Sequence, residues 1–123
     1  MGWKFKDGIP IWTQIIDIIC QKVVRGDWPP GSKVPAVREL ALEAGVNPNT
    51  MQRALSEMER DGLLYSERTS GRFVTENEQI LKELRETLCR EAVQELLAQL
   101  RQLGLSREEI REELVRAMQS LGS

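Results

Sequence analysis

The stretch PAVRELALEAGVNPNTMQRALSEMERDG, residues 35–62, contains two short helical patterns separated by a glycine. The first begins at Pro35, which suits the first turn of a helix because a missing backbone N–H costs nothing there. Gly45 ends this pattern after about ten residues, as glycine commonly does at a helix C-terminus. The apolar positions of the pattern are Val37, Leu40 and Ala41. Their helical spacing predicts one buried face.

A second helix is predicted directly after this glycine turn. Asn47 is of a residue type favoured at the N-cap, and Pro48 is favoured at the first helical position. Gly62 marks the end of the helix. Its apolar stripe consists of Met51, Ala54, Leu55 and Met58. Two short helices around a tight turn predict a helix-turn-helix motif.

The flanking segments predict the rest of a winged helix-turn-helix domain. Before the motif, a first helix is predicted from Ile11 to Arg25, preceded by a short extended arm at residues 3–6. The apolar stripe of this helix is Trp12, Ile15, Ile16, Ile19 and Val23. After the motif, residues 63–67 and 72–75 read as two strands joined by a polar turn. A lone hairpin is marginally stable in water, so it must pack on the helices, and the fold class is mostly α with a small β-hairpin.

The composition changes near Thr75, which divides the chain into a DNA-binding domain at 1–75 and a tail at 76–123. All five prolines and all three tryptophans lie before this point. The tail reads as a long helix ending at Gly104 and a short helix with a capping box at Ser106. Two helices alone cannot bury so wide an apolar stripe, so we expect a C-terminal helical dimerisation segment that pairs two chains. The predicted dimerisation residues are Leu81, Leu84, Leu88, Ala92, Leu96, Leu100, Leu114 and Met118.

Composition argues against several classes of function. The 123 residues include 17 Lys and Arg against 19 Asp and Glu, for a net charge of −2. Histidine, the commonest general base and metal ligand, is absent, and two cysteines cannot form a four-ligand zinc site. No catalytic residue, metal or other cofactor is therefore expected. No apolar run approaches a membrane span and no signal-peptide core is present, so we expect a cytoplasmic protein with reduced thiols. Cys20 and Cys89 lie beside helical apolar stripes and are expected to be small core residues.

The outward face of the second motif helix is the surface best suited to nucleic acid. Its polar side chains can hydrogen-bond base edges, nearby arginines can contact phosphates, and unpaired N–H groups at the helix N-terminus can meet a phosphate. The hairpin tip places two arginines around small residues, as a wing on a DNA backbone or minor groove requires. The alternatives are a solvated helix face and a solvated turn. The predicted DNA-binding residues are Lys33, Arg38, Asn47, Asn49, Thr50, Gln52, Arg53, Arg68, Thr69, Ser70, Gly71 and Arg72.

The negative net charge arises from the tail. Residues 1–75 carry 10 basic and 9 acidic side chains, whereas residues 76–123 carry 7 and 10. Within the first segment, several acids, including Asp17 and Glu59, are expected to lie away from the elements that would face DNA. The small total therefore predicts modest and strongly salt-sensitive nonspecific affinity for DNA.

The ordered motifs of residues 9–75 resemble the GntR family of bacterial transcription regulators. The matching segments are PIWTQI at 10–15, GDWPPG at 26–31, VPAVRELA at 34–41, GVNPNT at 45–50, RAL at 53–55, ERDGL at 59–63 and GRFV at 71–74. Each segment is unspecific alone, but their order and spacing together are specific. The resemblance implies a winged-helix domain that binds double-stranded DNA.

The short tail resembles that of the YtrA subfamily, whose helical tail dimerises the protein. This resemblance implies a dimeric repressor on a palindromic operator, often of membrane transporter genes. A tail this small is not expected to hold a ligand pocket, so whether a small-molecule effector exists stays open.

Two positions depart from the family pattern. Pro48 stands where many members have a guanine-reading arginine, which shifts base reading to Asn49, Thr50 and Gln52. Ala36 stands where many members have serine, and the lost side-chain N-cap costs about 1 kcal/mol.

Two other classes of function are weighed against a DNA-binding regulator. A winged helix can serve as a protein-interaction adaptor without specific DNA binding, and the near-neutral first segment favours that reading. The polar motif helix and the two-arginine wing argue against it, because an adaptor face is expected to be more apolar. An enzyme is the weakest reading, because the sequence offers no nucleophile with a base beside it.

Overall fold

The computed structural model describes residues 2–122 as five helices and one two-stranded antiparallel sheet. The elements are α1 (Ile11–Arg25), α2 (Val37–Ala44), α3 (Pro48–Arg60), β1 (Leu64–Glu67), β2 (Gly71–Val74), α4 (Glu78–Gln102) and α5 (Arg107–Leu121). The predicted fold class, mostly α with a small hairpin, is confirmed. Met1 and Ser123, the outer ends of the two predicted segments, lie outside the described residues.

Helix α3 lies at the centre of the core and packs against α1, α2 and β1. The predicted stripe of α3 is fully buried, namely Met51, Ala54, Leu55 and Met58. The facing helices contribute the buried residues Ile15, Ile19 and Val23 from α1 and Leu40, Ala41 and Ala44 from α2. Burial of apolar surface on this scale is the main favourable term in folding, so the rotation of α3 about its axis is determined by this packing.

The turn between α2 and α3 follows from its glycine and its N-cap. Gly45 has a left-handed φ of 75°, and its N–H donates to the Ala41 carbonyl at 2.9 Å. The N–H of Val46 donates to the same carbonyl at 3.0 Å. These bonds satisfy the end of α2 while the chain reverses, and α3 begins after Asn47.

The hairpin packs on the helical core through one strand face and pairs with a third segment. Leu64 pairs with Val74 in the antiparallel register, and both side chains are buried. The segment before α2 runs beside β2, where the Val34 N–H donates to the Arg72 carbonyl at 2.8 Å. The Val74 N–H donates back to the Ser32 carbonyl at 3.0 Å. The hairpin is therefore supported on both edges of β2, as its small size requires.

The predicted N-terminal arm is held mainly by side chains and not by a sheet. The Trp3 N–H donates to the Ala44 carbonyl at 3.1 Å, and the indole N–H donates to Glu43 at 3.2 Å. The Gln14 amide bonds both the N–H and the carbonyl of Lys6, at 2.8 and 3.0 Å. The arm is thereby tied to α1 and to the end of α2.

Internal contacts divide the chain into two compact units, one ending at Arg85 and the other beginning at Glu86. The first unit includes the start of α4, where the Arg85 guanidinium donates to the Val24 carbonyl at 3.2 Å. The second contains the rest of α4 together with α5. Whether the functional boundary lies at Thr75 stays a prediction.

Two expectations about the tail are wrong. Cys89 is exposed, because α4 buries none of its residues in a single chain, whereas Cys20 is buried as expected. The tail also contains a pocket, an open groove of about 930 Å³ between the end of α4 and α5. Its apolar lining includes Leu97, Leu105 and Ile110.

Among the described residues, no helix is both long enough and apolar enough to cross a membrane.

The N-cap of α3 supplies a test of this local structure. Replacing Asn47 by alanine removes the oxygen that accepts the Asn49 N–H, and we expect the free energy of unfolding to fall by about 1 kcal/mol. Asn47→Asp keeps an acceptor and places a negative charge at the positive end of the helix dipole, so its stability should match the wild type. Urea unfolding of both variants measures this. Equal destabilisation by Ala and Asp would contradict the capping role.

Candidate nucleic-acid interface

The first turn of α3 is closed by its own N-cap residue. The Oδ1 atom of Asn47 accepts the Asn49 N–H at 2.7 Å, and the carbonyl of Asn47 accepts the Thr50 N–H at 3.0 Å. Pro48 has no N–H. The N–H groups of Asn49 and Thr50 are therefore bonded within the chain and not unpaired as expected, while contact of this helix terminus with a phosphate stays a prediction.

The outward face of α3 presents the polar residues predicted to read bases. Asn49, Gln52 and Arg53 are exposed, and Thr50 is half-buried. The Gln52 amide donates to the Ser56 hydroxyl at 2.9 Å, one turn further along the same face. This bond restricts the Gln52 side chain before any ligand arrives, while its carbonyl oxygen and second N–H remain available for a base edge.

Arg53 lies over an aromatic ring of the neighbouring helix. Its guanidinium carbon is 4.2 Å from the centroid of the Trp12 ring, near the N-terminus of α1. Within residues 2–122, Arg53 forms no ion pair with a carboxylate. Its positive charge is therefore available to a phosphate.

The wing tip is exposed and carries the other predicted contacts. The exposed residues of the tip are Arg68, Thr69 and Ser70. Gly71 has a φ of 109°, and a Cβ added there would lie 3.2 Å from Cε of Lys33. Glycine is thus favoured by its backbone angle, and the Lys33 side chain passes close to it. Lys33 and the tip consequently belong to one local surface, and Arg38 is exposed on α2.

Arg72 differs from the other predicted contacts because its side chain already has a protein partner. Its Nε atom donates to Oε1 of Glu59 at 2.5 Å, and the Ser66 hydroxyl donates to the same oxygen at 2.8 Å. The Arg72 side chain is only 18% exposed. From the sequence, Glu59 is expected to lie away from the DNA-facing elements. In the structure it bonds Arg72 and Ser66 of the hairpin and so ties the wing to the C-terminal end of α3.

The environment of Glu59 favours its charged form. Partial burial raises the pKa of this carboxyl, but hydrogen bonds from Arg72 and Ser66, together with the Arg72 charge, outweigh burial. The net result is a pKa below the ordinary value of 4.5. The carboxylate is therefore ionised, and the wing anchor intact, at neutral pH.

Two contributors to this surface do not follow from the sequence. The helical pattern places Trp12 only in the apolar stripe of α1, and Glu59 only on an exposed helix face. No local pattern could reveal either role, because Trp12 contacts Arg53 and Glu59 contacts Arg72 across separate elements. Among the described residues, no group of three Cys, Asp or Glu side chains is placed to hold a metal ion.

Comparison with known protein families identifies the family of this chain. The model of the bacterial regulatory proteins of the gntR family matches residues 12–74, slightly more than half of the chain. The chain belongs to the GntR family. Members of this family are transcription regulators and not enzymes, so the chain is a DNA-binding transcription regulator. The family resemblance of the sequence is thereby confirmed.

Individual GntR proteins match nearly the whole chain. The uncharacterised regulator YhcF of Bacillus subtilis is 43% identical, over 91% of this chain and 93% of YhcF. The transcriptional repressor YtrA of the same species is 33% identical, over 87% of this chain and 83% of YtrA. The YtrA-like assignment therefore extends into the tail.

Solved structures show the same fold. A GntR family regulator from Listeria monocytogenes superposes with a TM-score of 0.80, at 31% identity over 91% of this chain and 98% of its own. AraR(DBD) in complex with operator ORX1 superposes with a TM-score of 0.55, at 27% identity over 61% of this chain and 99% of its own. The predicted winged-helix architecture is thereby confirmed.

The wing anchor predicts a pH-dependent contribution to stability. Glu59→Ala should lower the free energy of unfolding at pH 7 by roughly 1 kcal/mol, because Arg72 and Ser66 lose their shared acceptor. Glu59→Gln keeps an acceptor oxygen without the charge and should lose less.

The folded-state pKa of Glu59 is depressed, so its charge stabilises the fold above the ordinary value of 4.5. This contribution disappears as the pH falls through the lowered value. Urea unfolding as a function of pH should therefore show wild type and Glu59→Gln converging in acid. A gap between them that is the same at neutral and strongly acidic pH would contradict the ion pair.

Proposed function

We propose that two copies of this chain bind a palindromic operator and repress transcription. The observation that carries the proposal is the two-sided character of α3, whose apolar stripe is fully buried while Asn49, Gln52 and Arg53 are exposed on the outside. The named repressor activity of YtrA and the operator complex of AraR(DBD) support the same conclusion.

In this proposal α3 enters the major groove and the wing contacts the flanking backbone. Asn49, Thr50 and Gln52 read base edges, since amide side chains can pair with adenine through two hydrogen bonds. Lys33, Arg38 and Arg53 contact phosphates. Two recognition helices related by a two-fold axis would reach half-sites about one helical turn, or ~34 Å, apart.

The tail supports pairing of two chains. It leaves large apolar side chains exposed, including Val93 at 52%, Leu103 at 74% and Met118 at 65%. Exposed large apolar side chains on both tail helices are what an interaction surface would present in a single chain. A second copy of α4 and α5 can cover it, with Leu88, Leu96 and Leu114 among the proposed contacts.

The setting of the regulator follows from its ligand. Because chromosomal DNA of bacteria is in the cytoplasm, we expect the protein to act there. Membrane transporter genes are the expected targets through the resemblance to the YtrA subfamily.

Selection of bound sequences from a pool of random duplex DNA tests the proposed function. We expect a palindromic sequence whose half-site centres are about 10 base pairs apart. Binding to unselected duplex DNA, measured at increasing salt concentration, should be weak and strongly salt-dependent. Absence of both enrichment and low-salt binding would contradict DNA recognition and favour the adaptor.

Sedimentation tests the proposed pairing separately. Wild type should sediment at the mass of two chains at micromolar concentration. Leu88→Asp places a charge in the proposed seam and should yield single chains with sharply weaker operator binding, since one half-site alone binds weakly. Thr87→Asp introduces the same charge at an exposed neighbouring position and should remain paired. A single-chain mass for the wild type would refute the dimer.

A further inference from the structure

We propose that Trp12 is a positioning residue that holds the Arg53 side chain ready for DNA. The inference rests on the proposed function and adds a residue of α1 to the recognition machinery. It starts from one contact, the guanidinium carbon of Arg53 at 4.2 Å from the Trp12 ring centroid.

The contact geometry is that of a favourable cation–π pair. Attraction between a guanidinium and an aromatic face operates within about 6 Å of the ring centroid and is strongest for tryptophan. The second such pair within residues 2–122, Lys22 over Trp3, is longer at 5.6 Å. Trp12 is itself half-buried, so its ring is a firm platform for the exposed Arg53.

The contact with Trp12 leaves the hydrogen-bonding capacity of Arg53 intact. A guanidinium has five N–H donors, and within residues 2–122 none of those of Arg53 is bonded to a carboxylate. Arg53 is therefore held without losing its donors, in contrast to Arg72, whose Nε atom is bonded to Glu59.

Holding the side chain in advance should strengthen binding. An arginine that is immobilised only when it meets DNA loses rotamer entropy at that moment, and this loss is subtracted from the affinity. Because Trp12 restricts Arg53 beforehand, part of that loss occurs on folding. Gln52 is restricted on the same face by Ser56, so one base-reading and one phosphate-contacting side chain of α3 are held before DNA binds.

The test is a double-mutant cycle between Trp12 and Arg53. The probe is a labelled random-sequence duplex of about 30 base pairs, long enough for two half-sites. Trp12→Leu should weaken binding by about threefold to tenfold, while Trp12→Phe, which keeps an aromatic face, should restore most of it. Arg53→Ala should reduce the salt slope by about one unit, whereas Trp12→Leu should leave the slope unchanged because the charge remains.

The decisive comparison is made in the Arg53→Ala background. There Trp12→Leu should have no further effect on affinity, because the side chain that it positions is gone. A similar loss in both backgrounds would overturn the inference and assign Trp12 a structural role only. Trp28→Leu, which removes another half-buried tryptophan of the first unit, controls for loss of ring packing and should bind like the wild type.

An NMR measurement without DNA tests the Trp12–Arg53 contact itself, independently of the proposed function. The Arg53 Nε–H signal in NMR spectra should show a ring-current shift and restricted motion in wild type and Trp12→Phe, and lose both in Trp12→Leu. If wild type fails to bind duplex, the proposed function fails whatever the NMR result. If wild type binds and Trp12→Leu binds equally well, only the inference fails.

Discussion

The packing of one apolar stripe of α3 against α1 and α2 is the constraint on which the rest of the interface depends. Because Met51, Ala54, Leu55 and Met58 are all fully buried, α3 has a single possible rotation about its axis. At 3.6 residues per turn, that rotation directs Gln52, Arg53 and Ser56 outward. Rotating α3 so that the apolar stripe shifts by one residue would bury polar side chains without hydrogen-bond partners, and no new apolar packing could offset that cost.

The wing and its charge depend on the same helix. Glu59 lies in the last turn of α3 and joins Arg72 and Ser66, so the hairpin is oriented by the element that carries the base-reading residues. The ion pair also neutralises one of the five cations expected to face DNA. The pair leaves the net charge of residues 1–75 at +1 but reduces the uncompensated cations expected to face DNA from five to four, which leaves discrimination to base contacts and to pairing of two half-sites.

Local signals predict most of the fold, and tertiary contacts account for what they miss. The bounds of α1, the glycine turn before α3 and the capping box of α5 follow from residues within one turn of each other. The Glu59–Arg72 pair spans 13 residues and the Trp12–Arg53 contact about 41, so no periodicity contains them. The bonding of the first N–H groups of α3 is also local, but a residue pattern does not show that the side-chain oxygen of Asn47 accepts the Asn49 N–H and its carbonyl oxygen the Thr50 N–H. The exposure of Cys89 could not be predicted, because the burial of a stripe on α4 depends on what covers it.

An NMR titration of the full chain with the selected duplex tests most directly whether α3 and the wing meet DNA. We expect the largest backbone and side-chain shift changes at Asn49, Gln52 and Arg53 and at the wing tip, residues 68–70. The α5 signals should change little, because that helix is assigned to pairing. Changes confined to α4 and α5, with α3 and the wing tip unaffected, would contradict the placement of DNA on this face.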